Sequence, residues 1–197
     1  MKTRKQEKRR LLCRMAVRMS LICLLLLLLP GCASGGTALP DETKMRLSVS
    51  SRAFSEGERI PVVYTGQGED ISPPIAWSGA PAETASFALI MDDPDAPGGT
   101  FTHWVLFNLP PDARALAEAI PTQNELSGGA LQGKNDFGDT GYGGPSPPPG
   151  SSHRYRFTIY AADTVLNLEA GVSKKQVMDA LEEHILAWGQ LSGTYGR

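Results

Sequence analysis

The sequence predicts a mainly β domain, an antiparallel β-sandwich with one late C-terminal helix. Short apolar or alternating runs of strand length recur between residues 45 and 162. The 21 Gly and 15 Pro of the chain cut many of the intervening segments into turns. Only the stretch after Ser173 carries a sustained series of apolar residues at spacings of three and four. Many short strands punctuated by turn residues favour a sandwich or barrel with a peripheral helix.

The N-terminus comes first in the chain and stands apart. Residues 2–18 hold Lys2, Arg4, Lys5, Lys8, Arg9, Arg10, Arg14 and Arg18, and residues 19–29 are almost purely apolar. A basic segment before a short greasy run is a secretory signal. The run is about 11 residues, well short of the roughly 20 that a spanning helix needs. It closes on Leu28-Leu29-Pro30-Gly31-Cys32, which resembles the lipobox of bacterial lipoproteins. That resemblance implies a signal peptide over 1–31, cleavage after Gly31 and a lipid on Cys32, hence a membrane anchor in the cell envelope. More than one acyl chain gives lasting attachment where a single chain is marginal. Pro30 departs from the usual small or polar residue. Ala33, in place of the Asp linked to inner-membrane retention, favours the outer membrane. Residues 32–44 are small and polar and read as a flexible tether.

The domain proper is expected over 45–197. Met45 to Ser50 alternates as a half-buried strand does, and Arg59 to Tyr64 reads as a second strand. Phe87 to Met91, Phe101 to Leu109 and Arg154 to Ala162 follow as strands rich in β-branched and aromatic residues. Asp112 to Ala119 is expected to form a turn or two of helix. Ser173 is an N-cap signal, after which Val177, Leu181, His184, Ile185 and Trp188 predict a helix ended by Gly189. His184, on its apolar face, reads as structural.

Charge narrows the partners. Net charge is -2, but residues 1–31 hold eight basic residues and one acidic, which leaves 11 basic and 20 acidic in 32–197, a net of -9. Nucleic acid needs clustered Lys and Arg and is not an expected partner. Of the three cysteines, only Cys32 lies outside the signal segment, so no disulfide is expected within the domain.

Three segments carry candidate chemistry. Asp92-Asp93-Pro94-Asp95-Ala96-Pro97 follows an apolar strand, where carboxylates have no packing role, although Asp also caps its own turns. His103 lies in a strand on a face with Phe101, Val105 and Phe107. The loop Gly143 to Gly150 contains Pro145, Pro147, Pro148 and Pro149; its glycines allow close backbone approach and free amides that can face an anion. Whether its prolines are cis is left open. His153, Tyr155, Phe157 and Ile159 share a face of the following strand.

These segments, with Ser72-Pro73-Pro74, Trp77, Asn108-Leu109-Pro110 and Asn135-Asp136-Phe137-Gly138 in order, resemble the phosphatidylethanolamine-binding protein family, also called Raf kinase inhibitor-like proteins, most closely its bacterial branch. The resemblance implies a β-sandwich with C-terminal helical elements and a small anion pocket. It implies that Asp93, His103, His153 and Tyr155 line that pocket, with backbone from Gly144 and Pro145. The implied ligand is a small anion or phosphorylated headgroup, with no cofactor, no metal and no catalysis; modulation of an unidentified envelope protein is a further expectation. Many bacterial relatives carry Cys where this chain has Ser146, and Cys near Gly66, which an anion pocket does not require. The alternatives are a protease inhibitor acting through surface contacts, a metal-dependent enzyme using Asp93, His103 and His153, and a hydrolase using Ser146, Ser151 or Ser152 beside His153. The last lacks a G-x-S-x-G elbow.

Overall fold

The structure is a computed structural model that describes residues 45–197; the signal segment, the tether and Cys32 lie outside the described residues. Along them run β1 (Met45–Arg46), β2 (Ser48–Ser50), a 3-10 turn (Val62–Tyr64), β3 (Ile75–Ser78), β4 (Ser86–Asp93), β5 (Phe101–Leu109), β6 (Ala115–Leu116), β7 (Leu131–Gln132), β8 (Ser152–Ala162), α1 (Lys174–Leu181) and β9 (Ile185–Gly196). One sheet has the order β1-β9-β8-β4-β5-β7, and the second has the order β2-β3-β6. Among the described residues, all pairings between these strands are antiparallel except β1 beside β9. The expected sandwich is therefore the observed architecture.

The larger sheet is covered on both faces, which explains apolar runs without clean alternation. Every residue of β4 is buried. On one face Phe87, Leu89, Met91, Trp104, Leu106, Tyr155 and Phe157 pack with Ile75, Trp77 and Leu116 of the smaller sheet. On the other, Ala88, Ile90, Val105 and Phe107 pack under Val177 and Leu181 of α1. Each large apolar side chain so buried contributes roughly 1.5–3 kcal/mol. Lys174 at the start of α1 reaches Asp92 at the end of β4 with Nζ 2.8 Å from both carboxylate oxygens.

Several local expectations are corrected. The helix begins as expected: the Ser173 hydroxyl accepts from the Gln176 N–H, and the Gln176 side chain accepts from the Ser173 N–H. It stops at Leu181. Ile185 and Trp188 belong to β9, which pairs with β8 along its length. They join the same apolar cluster as Val177 and Leu181, so the spacing reflects one buried face shared by a helix and a strand. Gly189 lies inside β9, where a Cβ would strike the Leu47 carbonyl. His184 is exposed in the turn before β9, with Nδ1 2.7 Å from Asp163 Oδ1.

Asp112 to Ala119 forms a turn and the short β6 rather than helix. Arg59 to Tyr64 makes only a single bridge, Arg59 to Thr194, before the 3-10 turn; Pro61 has no N–H to extend a ladder. Met45 to Ser50 splits at Leu47 into strands of different sheets.

Candidate functional site

A cavity of about 160 Å³ opens where β4 ends and β5 and β8 begin, lined in part by Asp93, His103, His153 and Tyr155. It is smaller than the roughly 300–1,000 Å³ of sites for drug-sized ligands. Alternation along β4 sends Asp92 toward Lys174 and Asp93 to the opposite face. Asp93 Oδ1 accepts the Asp95 N–H at 2.8 Å, and Oδ2 lies 2.7 Å from His153 Nδ1. Both side chains are buried. Asp95 in turn accepts from the Arg154 N–H, Nε and Nη2 at 2.9, 2.8 and 2.6 Å. These bonds hold the Asp95 carboxyl down at about 2 and clamp the 93–97 loop onto β8.

His103 reaches the cavity through an irregularity. Met91 pairs with Trp104, but Asp92 pairs with Thr102, so β5 bulges at His103. The expected face with Val105 and Phe107 is broken there: those two pack under α1, while His103 lines the cavity beside Phe101. Its ring stands edge-on to Tyr155 and Phe137, with centroids 5.2 and 5.4 Å away. Nδ1 lies 2.7 Å from the Gly143 carbonyl. A carbonyl only accepts, so Nδ1 carries the proton and Nε2 is the unprotonated nitrogen of the neutral ring. Burial lowers the His103 pKa below the ordinary histidine value.

Tyr155 is fully buried, and its hydroxyl has no hydrogen-bond partner among the described residues. Burial first, then the neighbouring Asp93 charge and the approach of that carboxylate to the hydroxyl, which falls short of hydrogen-bond geometry, push its pKa up, so it stays a donor. A buried unpaired hydroxyl is uncommon and asks for a partner.

Gly144 and Pro145 do not line the cavity. The Gly144 N–H donates to Asp70 Oδ1 at 2.7 Å, and the Pro145 carbonyl accepts from Gly66 at 3.0 Å. The Gly143 N–H is spent on the His103 carbonyl. The amides expected to face an anion from these glycines are therefore engaged inside the protein. A Cβ on Gly144 would lie 2.6 Å from the Tyr64 carbonyl, so glycine is needed there for close packing. The lining comes instead from Ser146, Pro147 and Pro148, and among the described residues no peptide bond is cis.

Phe137 is a lining residue that the sequence reading did not select. Asn135 presents it: Oδ1 accepts from the Phe137 and Asp139 N–H groups, and Nδ2 donates to Gly141. Its ring remains 50% exposed at the mouth. An aromatic held among Asn, Asp and Gly in a turn was the available signal.

The lining contains no Lys or Arg. Both Asp93 oxygens are engaged, and among the described residues no three His, Cys, Asp or Glu are arranged to hold a metal ion. The metal-dependent alternative has no geometric support. Ser151 of the hydrolase alternative donates to Pro148, and only Ser146 shares the lining with His153.

The sequence profile of the family described as phosphatidylethanolamine-binding protein matches residues 50–196. The chain belongs to the phosphatidylethanolamine-binding protein family. Relatives of this family named UPF0098 protein include one from Methanothermobacter thermautotrophicus, 51% identical over 77% of this chain and 99% of its own length. Another, from Aquifex aeolicus, is 50% identical over 77% of this chain and 89% of its own length. Among solved structures, a phosphatidylethanolamine-binding protein homolog from Chlamydia trachomatis is 41% identical, with a TM-score of 0.71 over 77% of this chain and 98% of its own. E. coli YbcL, described as a new member of the mammalian family, is 32% identical, with a TM-score of 0.72 over 77% of this chain and 99% of its own. Phosphatidylethanolamine-binding family proteins are in general non-catalytic binding proteins.

Proposed function

We propose that this chain is a lipid-anchored, non-catalytic binding protein of the cell envelope. Its cavity takes a small anion or a phosphorylated headgroup, and its occupancy modulates an envelope protein. The observation that carries the reading is the buried Tyr155 hydroxyl without a partner, in a cavity shared by two histidines with fixed Nδ1 atoms. Such a hydroxyl and imidazoles are groups that bind phosphoryl oxygens, and more strongly when an imidazole is protonated. Envelope anchoring is supported by the Gly31-Cys32 pattern and by the position of the family match, which begins at residue 50.

The test is a titration of the full-length chain with inorganic phosphate and phosphoethanolamine, followed by NMR. Saturable shifts at Asp93, His103 and His153 that vanish in His103→Ala and His153→Ala are expected. Unchanged affinity in both variants would overturn the anion reading. Incorporation of labelled fatty acid that is lost in Cys32→Ala tests the anchor separately.

A further inference from the structure

His103 owes its place in the cavity to a one-residue shift in pairing. As far as Met91 opposite Trp104, β4 and β5 keep one register; Asp92 then meets Thr102, and His103 is the extra residue. Side chains alternate across a sheet, so without the shift His103 would lie opposite Asp92, on the face where Lys174 holds that carboxylate. Thr102 would then lie opposite Asp93, on the cavity side. The choice between the two pairings decides which of two neighbouring side chains reaches the cavity.

The shift also redirects the backbone. The Val105 carbonyl faces the β7 side, where it accepts the Gly133 N–H at 3.0 Å. In an unshifted strand His103 would face that side too, and Thr102 would turn its backbone groups toward β4. Here both residues face the β7 side. The His103 carbonyl accepts the Gly143 N–H at 3.0 Å, and the Thr102 carbonyl accepts the Asp136 N–H at 2.9 Å. The Thr102 N–H donates to Asp136 Oδ2 at 2.6 Å. Asp136 thus meets both backbone groups of Thr102, its carboxylate standing in for a strand carbonyl. It lies where the register of β7 against β5, Leu131 with Phe107 and Gln132 with Leu106, would carry it. Asn135 firms the turn from within by accepting from the Phe137 and Asp139 N–H groups. Asp136 itself is exposed and lines no part of the cavity, whereas Thr102 is buried, so leaving its N–H unmatched is costly.

We infer that Asp136 is a positioning residue: its paired bonds to Thr102 belong to the shifted register alone and hold His103, rather than Thr102, in the cavity. A contact made in one pairing and not in the other is what biases the choice between them. Where His103 serves a bound anion, the inference rests on the anion-pocket reading; the aim of the ring does not.

The experiment is NMR of the full-length chain and its variants Asp136→Ala and Asp136→Asn. Asparagine keeps a side-chain carbonyl for the Thr102 N–H, and alanine does not. In Asp136→Ala the contact between the His103 and Tyr155 rings, whose centroids lie 5.2 Å apart, is expected to fade while contacts from His103 to Lys174 appear. Asp136→Asn is expected to keep the original contacts. Inorganic phosphate should bind roughly tenfold more weakly to Asp136→Ala, the loss expected for one hydrogen bond to a charged group, and with unchanged affinity to Asp136→Asn. Ring contacts that persist in Asp136→Ala, or that are lost equally in both variants, would overturn the inference. Should Asp136→Ala not fold, amide exchange in the unaltered chain decides. A Thr102 N–H that exchanges as slowly as those between β4 and β8 supports the lock, and rapid exchange overturns it. Altered ring contacts in Asp136→Ala, with no phosphate bound by the unaltered chain, would overturn the anion reading alone.

Discussion

Gly66 and Ser146 lie face to face across the Tyr64–Asp70 turn and the proline-rich loop. A Cβ built on Gly66 would stand 3.3 Å from Ser146 Cβ, slightly inside the roughly 3.5–4.5 Å of a disulfide. The Gly66 N–H already binds the Pro145 carbonyl, so the two backbones are held in place. Gly66→Cys with Ser146→Cys, in a chain whose Cys13, Cys23 and Cys32 are replaced by Ser, is expected to form this bond under mild oxidation. It would close a loop of about 80 residues, for which loss of denatured-state freedom gives about 4.5 kcal/mol as an upper figure. Allowing for the slightly short separation, a gain of about 2–3 kcal/mol is expected. For a domain of this size that raises the melting temperature by roughly 4–12 °C. The assay is calorimetry of the oxidised and reduced forms of the same double variant. Free thiols persisting under oxidant, or an oxidised form that melts below the reduced one, would refute the geometry.

Tyr155→Phe removes a buried hydroxyl that has no partner; stability should hold or rise by up to about 1 kcal/mol while phosphate affinity falls. Urea unfolding and a phosphate titration of the same sample check both, and lost stability with unchanged affinity contradicts the assignment. Lys174→Met strands Asp92 in a largely buried pair and should cost about 3 kcal/mol by denaturant midpoint, with much of it recovered in Lys174→Met with Asp92→Leu. Asp95 has a folded-state pKa of about 2, below its unfolded value of about 3.9. Its contribution is therefore fully present above about pH 4 and lost as pH falls through about 2. With the Arg154 side chain 65% exposed, that contribution is at most about 1 kcal/mol. Asp95→Asn should flatten the acid limb of a stability–pH profile, and an unchanged limb speaks against the clamp.

Strands whose burial is two-sided and whose composition is β-branched and aromatic were legible in the sequence. Phe101 to Leu109 coincides with β5 residue for residue, and Arg154 to Ala162 falls within β8. The segments that misled did so for identifiable reasons. Ile185 and Trp188 continue the helical spacing because strand and helix bury their side chains in one cluster. The bulge that turns His103 into the cavity is a feature of pairing between β4 and β5, so alternation within β5 alone assigned the wrong neighbours. Asp93, His103, His153 and Tyr155 do converge. Gly144 sits behind them because its amide answers Asp70, a residue 74 positions away. Nothing local in the proline-rich loop encodes that partner.

The parallel pairing of β1 with β9 fixes where the chain enters the domain. Met45 sits beside Ala187, whereas the cavity end of β8 sits beside Tyr195. The chain therefore enters the domain roughly 25 Å, at 3.3 Å per residue, from the end that bears the mouth. The first strand of the domain and the cavity mouth thus lie toward opposite ends of β9.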